Sequence, residues 1–249
     1  MSDSREHWER HWDRYSDSTR LNPGQLFRRR MIFRLLGDEA GGEGASILDI
    51  GCGSGDLLSA LAGRYPNASL AGVDQSQSGL NIAAREIPGA RLATANLESA
   101  ESNSSELGGW ASHAVCSEIL EHIAEPVEVL TNVAAYLKPG GCLVVTVPGG
   151  PMSAFDHRIG HRGHYTVTRL REELEQAGYR IDAIAAAGFP MFNLYRLVVL
   201  MRGERLADDI DGQPSLLART VMALFRSTMW LTTLHSPWGW QIVARAQKP

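Results

Sequence analysis

Cysteine is scarce in this sequence, and its scarcity excludes one class of protein. The chain has 249 residues and three cysteines, Cys52, Cys116 and Cys142, an odd number with no paired spacing. Small secreted domains that cannot build a sufficient core rely on many disulfides, so this sequence predicts no disulfide framework. We expect buried, reduced thiols in a cytoplasmic protein.

Long apolar runs and a strong net charge are missing as well. No stretch of about 18 apolar residues occurs, so no transmembrane helix is predicted, and residues 1–7 lack the apolar core of a secretion signal. The formal net charge is −4, which predicts neither a nucleic-acid partner nor a general affinity for anionic membranes. The length suits one large domain, or one domain with an insertion.

The chain is organised around a glycine-rich turn. An apolar run over residues 47–50 precedes glycine at three alternate positions, Gly51, Gly53 and Gly55, and apolar residues at helical spacing follow over residues 56–62. This pattern predicts a strand, a tight turn and a helix. Glycine has no Cβ and adopts positive φ readily, so a ligand can lie against the backbone. The N–H groups at the start of the helix face the same space.

Two ligand classes that use such a turn fit this sequence poorly. The dinucleotide fingerprint requires a third glycine where this chain has Asp56, and a phosphate-binding loop requires a lysine that does not follow the glycines here. A nicotinamide-dependent oxidoreductase is therefore disfavoured. From the residues alone, a glycine-rich turn in some other α/β protein remains an alternative.

The acidic-x-Gly-x-Gly-x-Gly string that begins at Asp49 resembles the first motif of the class I S-adenosylmethionine-dependent methyltransferases. The resemblance implies an α/β fold with a Rossmann-like, seven-stranded, mostly parallel sheet and helices on both faces. It also implies S-adenosyl-L-methionine as the cofactor and S-adenosyl-L-homocysteine as the product. The turn residues that it places on the cofactor are Asp49, Gly51, Cys52, Gly53 and Gly55.

Further strings resemble the same family, in the same order, along residues 45–148. Asp74 ends the next apolar run, and the resemblance places its carboxylate on the ribose hydroxyls and Gln75 against the adenine. A competing role for Asp74 is N-cap of the following helix, and the two roles can coexist. A Leu-x-Pro-Gly-Gly string that begins at Leu137 predicts a helix end and a turn before the fifth strand.

Residues after the third and fourth predicted strands extend the cofactor site that the resemblance implies. Asn96 and Leu97 stand where the family usually has an aspartate near the adenine, and the Asn96 amide oxygen can accept the same hydrogen bond. Ser117 ends the fourth strand. His122 belongs to a Glu-His-Ile string that resembles a family signature on the sulfonium side of the cofactor. The alternative for His122 is simple packing at the start of a helix.

The loop after the fifth predicted strand is rich in histidine. It contains Asp156, His157, His161, His164 and Tyr165, and it resembles a Gly-His-x-x-His-Tyr loop found in a large branch of the family. In a catalytic role, His161 or His164 would be the general base on the methyl acceptor, because imidazole titrates near neutral pH, and Asp156 would orient it. His157 and Tyr165 are predicted substrate contacts.

Two other roles of this histidine loop are considered. Asp–His pairs that pin a long loop are a structural alternative, which the sequence leaves open beside the catalytic one. A metal site is disfavoured, because the His-x3-His-x2-His spacing matches no known zinc signature. We therefore predict no metal.

The predicted organisation has a core with two helical additions. The segments are an N-terminal helical cap at 1–40, an S-adenosylmethionine-binding α/β core at 41–188, a helical insertion or lid at 189–236, and the last core strand at 237–249. In the cap, Tyr15 and Arg28 are candidate substrate contacts. The insertion has apolar residues at helical spacing and predicts two or more helices that form a lid or a homodimer surface.

Together these features predict an S-adenosylmethionine-dependent methyltransferase that acts on a small molecule, with O-methylation of a natural-product or metabolite hydroxyl as the expected reaction. N- or C-methylation of a small molecule is one alternative. A protein that binds the cofactor without transferring its methyl group is another. Neither a nucleic-acid partner nor a membrane span is expected.

Overall fold

The computed structural model describes residues 22–99, 105–202 and 216–249. The strands are β1 Ser46–Ile50, β2 Ser69–Asp74, β3 Arg91–Thr94, β4 Ala111–Ser117, β5 Leu137–Pro148, β6 Arg180–Ala187 and β7 Gln241–Gln247. The α-helices are α1 Pro23–Leu36, α2 Asp56–Arg64, α3 Gln77–Glu86, α4 Pro126–Ala134, α5 Ala154–Arg158, α6 Val167–Gln176, α7 Met191–Arg202 and α8 Leu216–Thr228. Among these residues, no helix is long and apolar enough to cross a membrane.

All seven strands form one sheet in the order β3-β2-β1-β4-β5-β7-β6. Strands β1 to β5 pair in parallel, whereas β7 lies between β5 and β6 and runs antiparallel to both. The predicted seven-stranded, mostly parallel sheet is therefore confirmed. The strand order reverses beside β1, and ligands of open α/β sheets bind at the carboxyl ends of the strands at such a switch point.

The sheet is covered on both faces, as the apolar β1 sequence requires. Every residue of β1 is buried, and successive side chains of a strand point to opposite faces. Leu48 and Ile50 pack in one apolar cluster with α4 and α6, whereas Ile47 packs in another with α1, α2 and α3. The three cysteines are buried free thiols, as expected.

The insertion between β6 and β7 contains two described helices, α7 and α8, and confirms the predicted helical insertion. Its inner face packs on α1, where the Phe27 and Phe192 ring centroids lie 5.0 Å apart. The Tyr195 hydroxyl donates to Asn22 Oδ1 at 2.9 Å. The insertion thus leans on the helix that precedes the core.

The prediction of a turn at Leu137, before the fifth strand, is corrected by the structure. Strand β5 already begins there, because Leu137 pairs with Ala111 and the ladder resumes at Cys142 and His113. Pro139 cannot donate to a ladder, and Gly140 has φ +72, so the chain between the two pairs bulges out of the sheet. The Gly140 N–H instead donates to Lys248 O at 3.0 Å.

Candidate active site

A cleft opens at the carboxyl ends of β1, β2 and β4, with α1 as one wall. The wall residues from α1 are Gln25, Arg28, Arg29 and Ile32. The predicted cofactor contacts that line the cleft are Asp49, Gly51, Cys52, Asp74, Gln75, Asn96, Leu97, Ser117 and His122. Residues far apart in the sequence thus share one concave surface, as the switch point requires.

The two other predicted cofactor contacts, Gly53 and Gly55, are not among the described residues that line the cleft. All three turn glycines have positive φ, with 71° at Gly51, 50° at Gly53 and 83° at Gly55, which is the left-handed region that other residues rarely adopt. A Cβ on Gly55 would lie 2.9 Å from the Ala83 Cβ on α3. Gly55 therefore allows the turn to pack against α3.

Asp74 joins the turn to the next strand. Its Oδ2 accepts from the Gly53 N–H at 2.8 Å, and its Oδ1 accepts from the Ser76 N–H at 2.8 Å. The N-cap of α3 is Ser76, whose hydroxyl accepts from the Gly79 N–H at 3.1 Å, so the alternative proposed for Asp74 belongs to Ser76. Asp74 itself lines the cleft.

Asp49 is a buried acid at the base of the cleft. Burial raises the pKa of Asp49 well above its ordinary value, and the nearby charge of Asp74 raises it further. Burial also raises the pKa of the Cys52 thiol, with a smaller contribution from Asp49. This end of the cleft therefore favours neutral forms of both side chains.

Glu118 lines the cleft and is a residue that the sequence analysis missed. It has φ +58, a conformation that is strained for a non-glycine residue and often marks functional sites. Its Oε1 accepts from Gln241 Nε2 at 2.9 Å and from the Thr146 hydroxyl at 3.2 Å, and its Oε2 lies 3.2 Å from Arg28 Nη1. Its position directly after Ser117, the last residue of β4, was the available signal.

The histidines form a cluster behind the cleft. His122 lines the cleft, and its ring meets that of His161 edge to face at 4.7 Å between centroids. His161 Nδ1 lies 3.2 Å from His164 Nε2, and His164 Nδ1 lies 3.0 Å from Gly150 O. A carbonyl only accepts, so His164 Nδ1 carries a proton, and a neutral His164 then accepts from His161. Neither His161 nor His164 is among the described residues that line the cleft.

Asp156 is held by groups other than the histidines. Its Oδ2 accepts from the Ser153 N–H at 2.7 Å, from the Ser153 hydroxyl at 2.8 Å and from Arg196 Nη2 at 2.9 Å. The distances from Asp156 Oδ1 to His161 Nδ1 and from Asp156 Oδ2 to His164 Nε2 are 3.9 and 3.7 Å. These exceed hydrogen-bond lengths, so Asp156 lies beside the histidines without bonding them.

Burial sets the charge states of this cluster. It lowers the pKa of His161 to about 3, with His122 adding to the effect, and it lowers the pKa of His164. Burial also raises the pKa of Glu121 well above its ordinary value. At Asp156 burial acts upward, but Arg196 and Ser153 outweigh it and the pKa is lowered. Near neutral pH His161 and His164 are therefore uncharged and Asp156 is an anion.

Two groups of donor atoms in this cluster are close enough together to hold a metal ion. Donor atoms of Glu121, His122 and His161 lie within 4.8 Å of one another, as do those of Asp156, His161 and His164. In the second group Arg196 already occupies the carboxylate, and a guanidinium opposes a metal cation. In the first group the Glu121 carboxyl is buried and has no hydrogen-bond partner among the described residues. The absence of a metal stays a prediction.

The four predicted substrate contacts separate in the structure. Arg28 lines the cleft, and Tyr15 lies outside the described residues. His157 is exposed on α5 and does not line the described part of the cleft. Tyr165 is 2% exposed in the main core, where its hydroxyl donates to Leu120 O at 3.3 Å. Core packing therefore explains the burial of Tyr165, and its contact with the substrate stays a prediction.

Known proteins resemble this chain along most of its length. A family described as "Methyltransferase domain" matches residues 25–184. A ubiquinone biosynthesis O-methyltransferase from Pseudomonas paraeruginosa is 32% identical over 214 residues, covering 81% of this chain and 88% of that protein. A trans-aconitate 2-methyltransferase from Delftia acidovorans is 30% identical over 219 residues, covering 76% of this chain and 80% of that protein.

Solved structures share the fold at lower identity. A putative sarcosine dimethylglycine methyltransferase from Galdieria sulphuraria has a TM-score of 0.62 at 12% identity, covering 90% of this chain and 86% of the other. The [4+2]-cyclase SpnF has a TM-score of 0.59 at 20% identity, covering 89% and 80%. A fold that serves both names does not determine the reaction, so the sequence relatives decide the family. The chain belongs to the methyltransferase-domain family, and it is a class I S-adenosylmethionine-dependent methyltransferase.

Proposed function

We propose that this enzyme O-methylates a hydroxyl group of a small natural product or metabolite. The observation that carries the proposal is that the glycine turn, Asp74, Glu118 and His122 line the same cleft. His161 and His164 lie behind His122. S-adenosylmethionine, when bound, supplies a methyl group already activated by its sulfonium. The chain then has to orient the acceptor oxygen and receive one proton.

The strand ends supply the groups that would hold the cofactor. Asp74 would accept from the ribose hydroxyls, and its position is fixed by the two backbone N–H groups that it accepts. Asn96 and Leu97 would meet the adenine, with Gln75 beside them. These assignments remain proposals, and the common cleft lining supports them.

The histidine cluster is the proposed proton acceptor. An imidazole must be neutral to accept a proton, and burial favours neutral His161 and His164. Because His122 is the member that lines the cleft, a proton leaving the acceptor would meet His122 first, and His161 and His164 lie behind it. Asp156 would act on the pair through its charge, since it makes no hydrogen bond to either ring.

A carboxylate oxygen is a second candidate acceptor, and Arg28 is the observation that favours it. Arg28 Nε is buried without a hydrogen-bond partner among the described residues, although Nη1 meets Glu118. A buried donor of this kind suits an anionic group on a ligand. The ligand could be the acceptor or the carboxylate of the cofactor itself.

The test is product formation with defined acceptors. We would incubate the full chain with S-adenosylmethionine and panels of phenols, alcohols, carboxylic acids and amines, and measure S-adenosylhomocysteine and the mass of the methylated product. Products methylated on hydroxyl oxygen support the proposal, and products methylated on nitrogen or carbon contradict it. No S-adenosylhomocysteine from any panel, with cofactor binding intact, would favour a binding protein without transfer.

We also propose that the insertion forms a homodimer surface. Its exposed apolar side chains are the support, and those on the described helices and beside them are Leu194, Leu197, Met201, Leu224, Trp230, Leu231 and Trp238. Such a concentration of exposed apolar residues usually marks an interaction site. Sedimentation velocity should show a dimer that Leu224→Glu dissociates, whereas a monomeric parent at high concentration contradicts the proposal.

A further inference from the structure

One ion pair connects the helical insertion to the histidine loop. Arg196 on α7 donates through Nη2 to Asp156 Oδ2 at 2.9 Å and through Nη1 to Asp156 Oδ1 at 3.3 Å. The Asp156 side chain is 1% exposed and that of Arg196 is 14% exposed. A two-pronged contact of this kind is the strong geometry for an arginine and a carboxylate. The insertion is therefore bound, through Arg196, to Asp156, the carboxylate that lies beside His161 and His164.

Arg196 and the two histidines compete for this carboxylate. Ser153 takes Oδ2 from the side of α5, and Arg196 takes both oxygens from the side of α7. The histidine nitrogens stay at 3.7 and 3.9 Å from it. They bond each other instead, and that bond is compatible with a neutral pair because one ring donates and the other accepts.

None of the other described charged or titratable groups around His161 and His164 takes the place of Arg196 as the partner of Asp156. His161 Nε2 lies 4.0 Å from Glu121 Oε1, and His122 follows Glu121 in the short 3₁₀ helix Leu120–His122. The charges of Asp156 on α5 and Arg196 on α7 also act on His161. The charges that act on His164 are those of Asp156 and Arg196, with a smaller influence from Glu118, and its Nδ1 meets the Gly150 carbonyl. Glu121 is buried and tends to be a neutral acid. Asp156 is thus the anion nearest both rings, and Arg196 is the cation that neutralises it.

We propose that Arg196 is a positioning residue that keeps the Asp156 carboxylate engaged, so that His161 and His164 bond each other behind the cleft and not Asp156. Its link to methyl transfer rests on the proposed function, whereas its electrostatic part does not. Without Arg196, the freed carboxylate would stabilise the charged form of His161 or His164 and raise the pKa of that ring, because an opposite charge within about 4–6 Å favours the charged imidazole. At pH values below the raised midpoint, the bound proton would occupy the lone pair on which a base depends.

The test measures the protonation of the histidine rings directly. Nuclear magnetic resonance of the full chain with labelled histidine rings would follow protonation against pH in the parent and in Arg196→Met. We expect the midpoint of one ring of the pair to rise by about 1–3 pH units. The double variant Arg196→Met/Asp156→Asn should return it toward the parent, and Arg196→Lys should move it less than Arg196→Met. Arg171→Met is the matched control, since Arg171 pairs with Glu175 on the exposed face of α6.

Each outcome of this test has a defined meaning. An unchanged midpoint in folded Arg196→Met overturns the inference. If that variant does not fold, the histidine midpoints of Arg196→Lys and of the double variant test the inference. Unchanged histidine midpoints in Arg196→Lys, together with a full loss of the methylation rate, would show that Arg196 has only a structural role. If the midpoint rises and the acid limb of the methylation rate rises with it, the inference and the proposed base are both supported. If the midpoint rises and the rate profile stays unchanged, the inference stands and the histidine base of the proposed function fails.

Discussion

The two ends of the cleft are built by different means. At the glycine-turn end, backbone groups of one short stretch are held by a single carboxylate, Asp74, through the Gly53 N–H. At the histidine end, two ion pairs join distant segments: Arg28 on α1 pairs with Glu118, the strained residue that follows β4, and Arg196 on α7 pairs with the buried Asp156 on α5. The first end depends on local conformation and the second on buried charge. Substitutions and pH should therefore affect them differently.

The largest expected effect is at the glycine turn. Gly53→Val places a β-branched residue at φ +50, a conformation that costs such residues of order 1–3 kcal/mol, and displaces the N–H that Asp74 holds. We expect no measurable S-adenosylmethionine binding by calorimetry. Gly89→Val, at a turn where a Cβ meets nothing within 4 Å, is the matched control. If a folded Gly53→Val bound S-adenosylmethionine with the affinity of the parent, the proposed difference between the two ends of the cleft would be wrong.

At the histidine end, the expected loss is in rate. His161→Ala or His164→Ala should lower methylation by about 10²–10⁴-fold if the pair receives the proton, with cofactor affinity unchanged. Because burial lowers the pKa of His161 to about 3, neutral His161 persists at mildly acidic pH, and no acid limb from it is expected near 6.5. Rate against pH in the parent and both variants is the measurement.

Two controls separate the roles considered for the histidine loop. His235→Ala removes an exposed histidine elsewhere and should retain the parent rate. A chelator should leave the rate unchanged, whereas loss with chelator and recovery with added divalent metal would establish a metal site. Near-normal rates in both His161→Ala and His164→Ala would end the catalytic interpretation and leave the structural one.

A smaller effect is expected from the acid that bridges the turn. Asp74→Ala should weaken S-adenosylmethionine binding by about 1.5–3 kcal/mol, the range for hydrogen bonds to a charged group. The change also frees the Gly53 and Ser76 N–H groups, so Asp74→Asn, which keeps acceptor oxygen without charge, is the informative partner variant. Calorimetric affinities within twofold of the parent for Asp74→Ala would remove this residue from the site.

The histidine end should also make folding sensitive to acid. The His161 pKa is about 3 when folded and near 6.5 when unfolded, so below pH 6.5 the unfolded chain binds a proton that the folded chain does not, and stability falls as pH falls. Between pH 6.5 and 4.5 this amounts to about 2 kcal/mol. Urea unfolding of the parent and of His161→Gln at both pH values should show a shallower loss in the variant. Parallel losses would contradict the buried neutral state.

The sequence by itself determined the fold class and the glycine-turn end of the cleft. Asp49, Gly51 and Asp74 lie at or directly beside the ends of β1 and β2. Apolar runs and glycine spacing in the sequence indicate such local structure directly. Parallel strands carry their carboxyl ends to one edge, so Asn96 and His122 could be placed in the same cleft without knowing any contact.

Only the tertiary structure decided the histidine end. The Arg28–Glu118 and Arg196–Asp156 pairs join residues that no periodicity links, and the burial of Tyr165 depends on how its loop folds onto the core. Burial and distance determine whether a histidine is charged and whether an aspartate bonds it or an arginine. Both quantities arise from packing between distant segments, and for that reason the sequence left the catalytic and structural roles of the histidine loop open and did not reveal that the insertion holds Asp156.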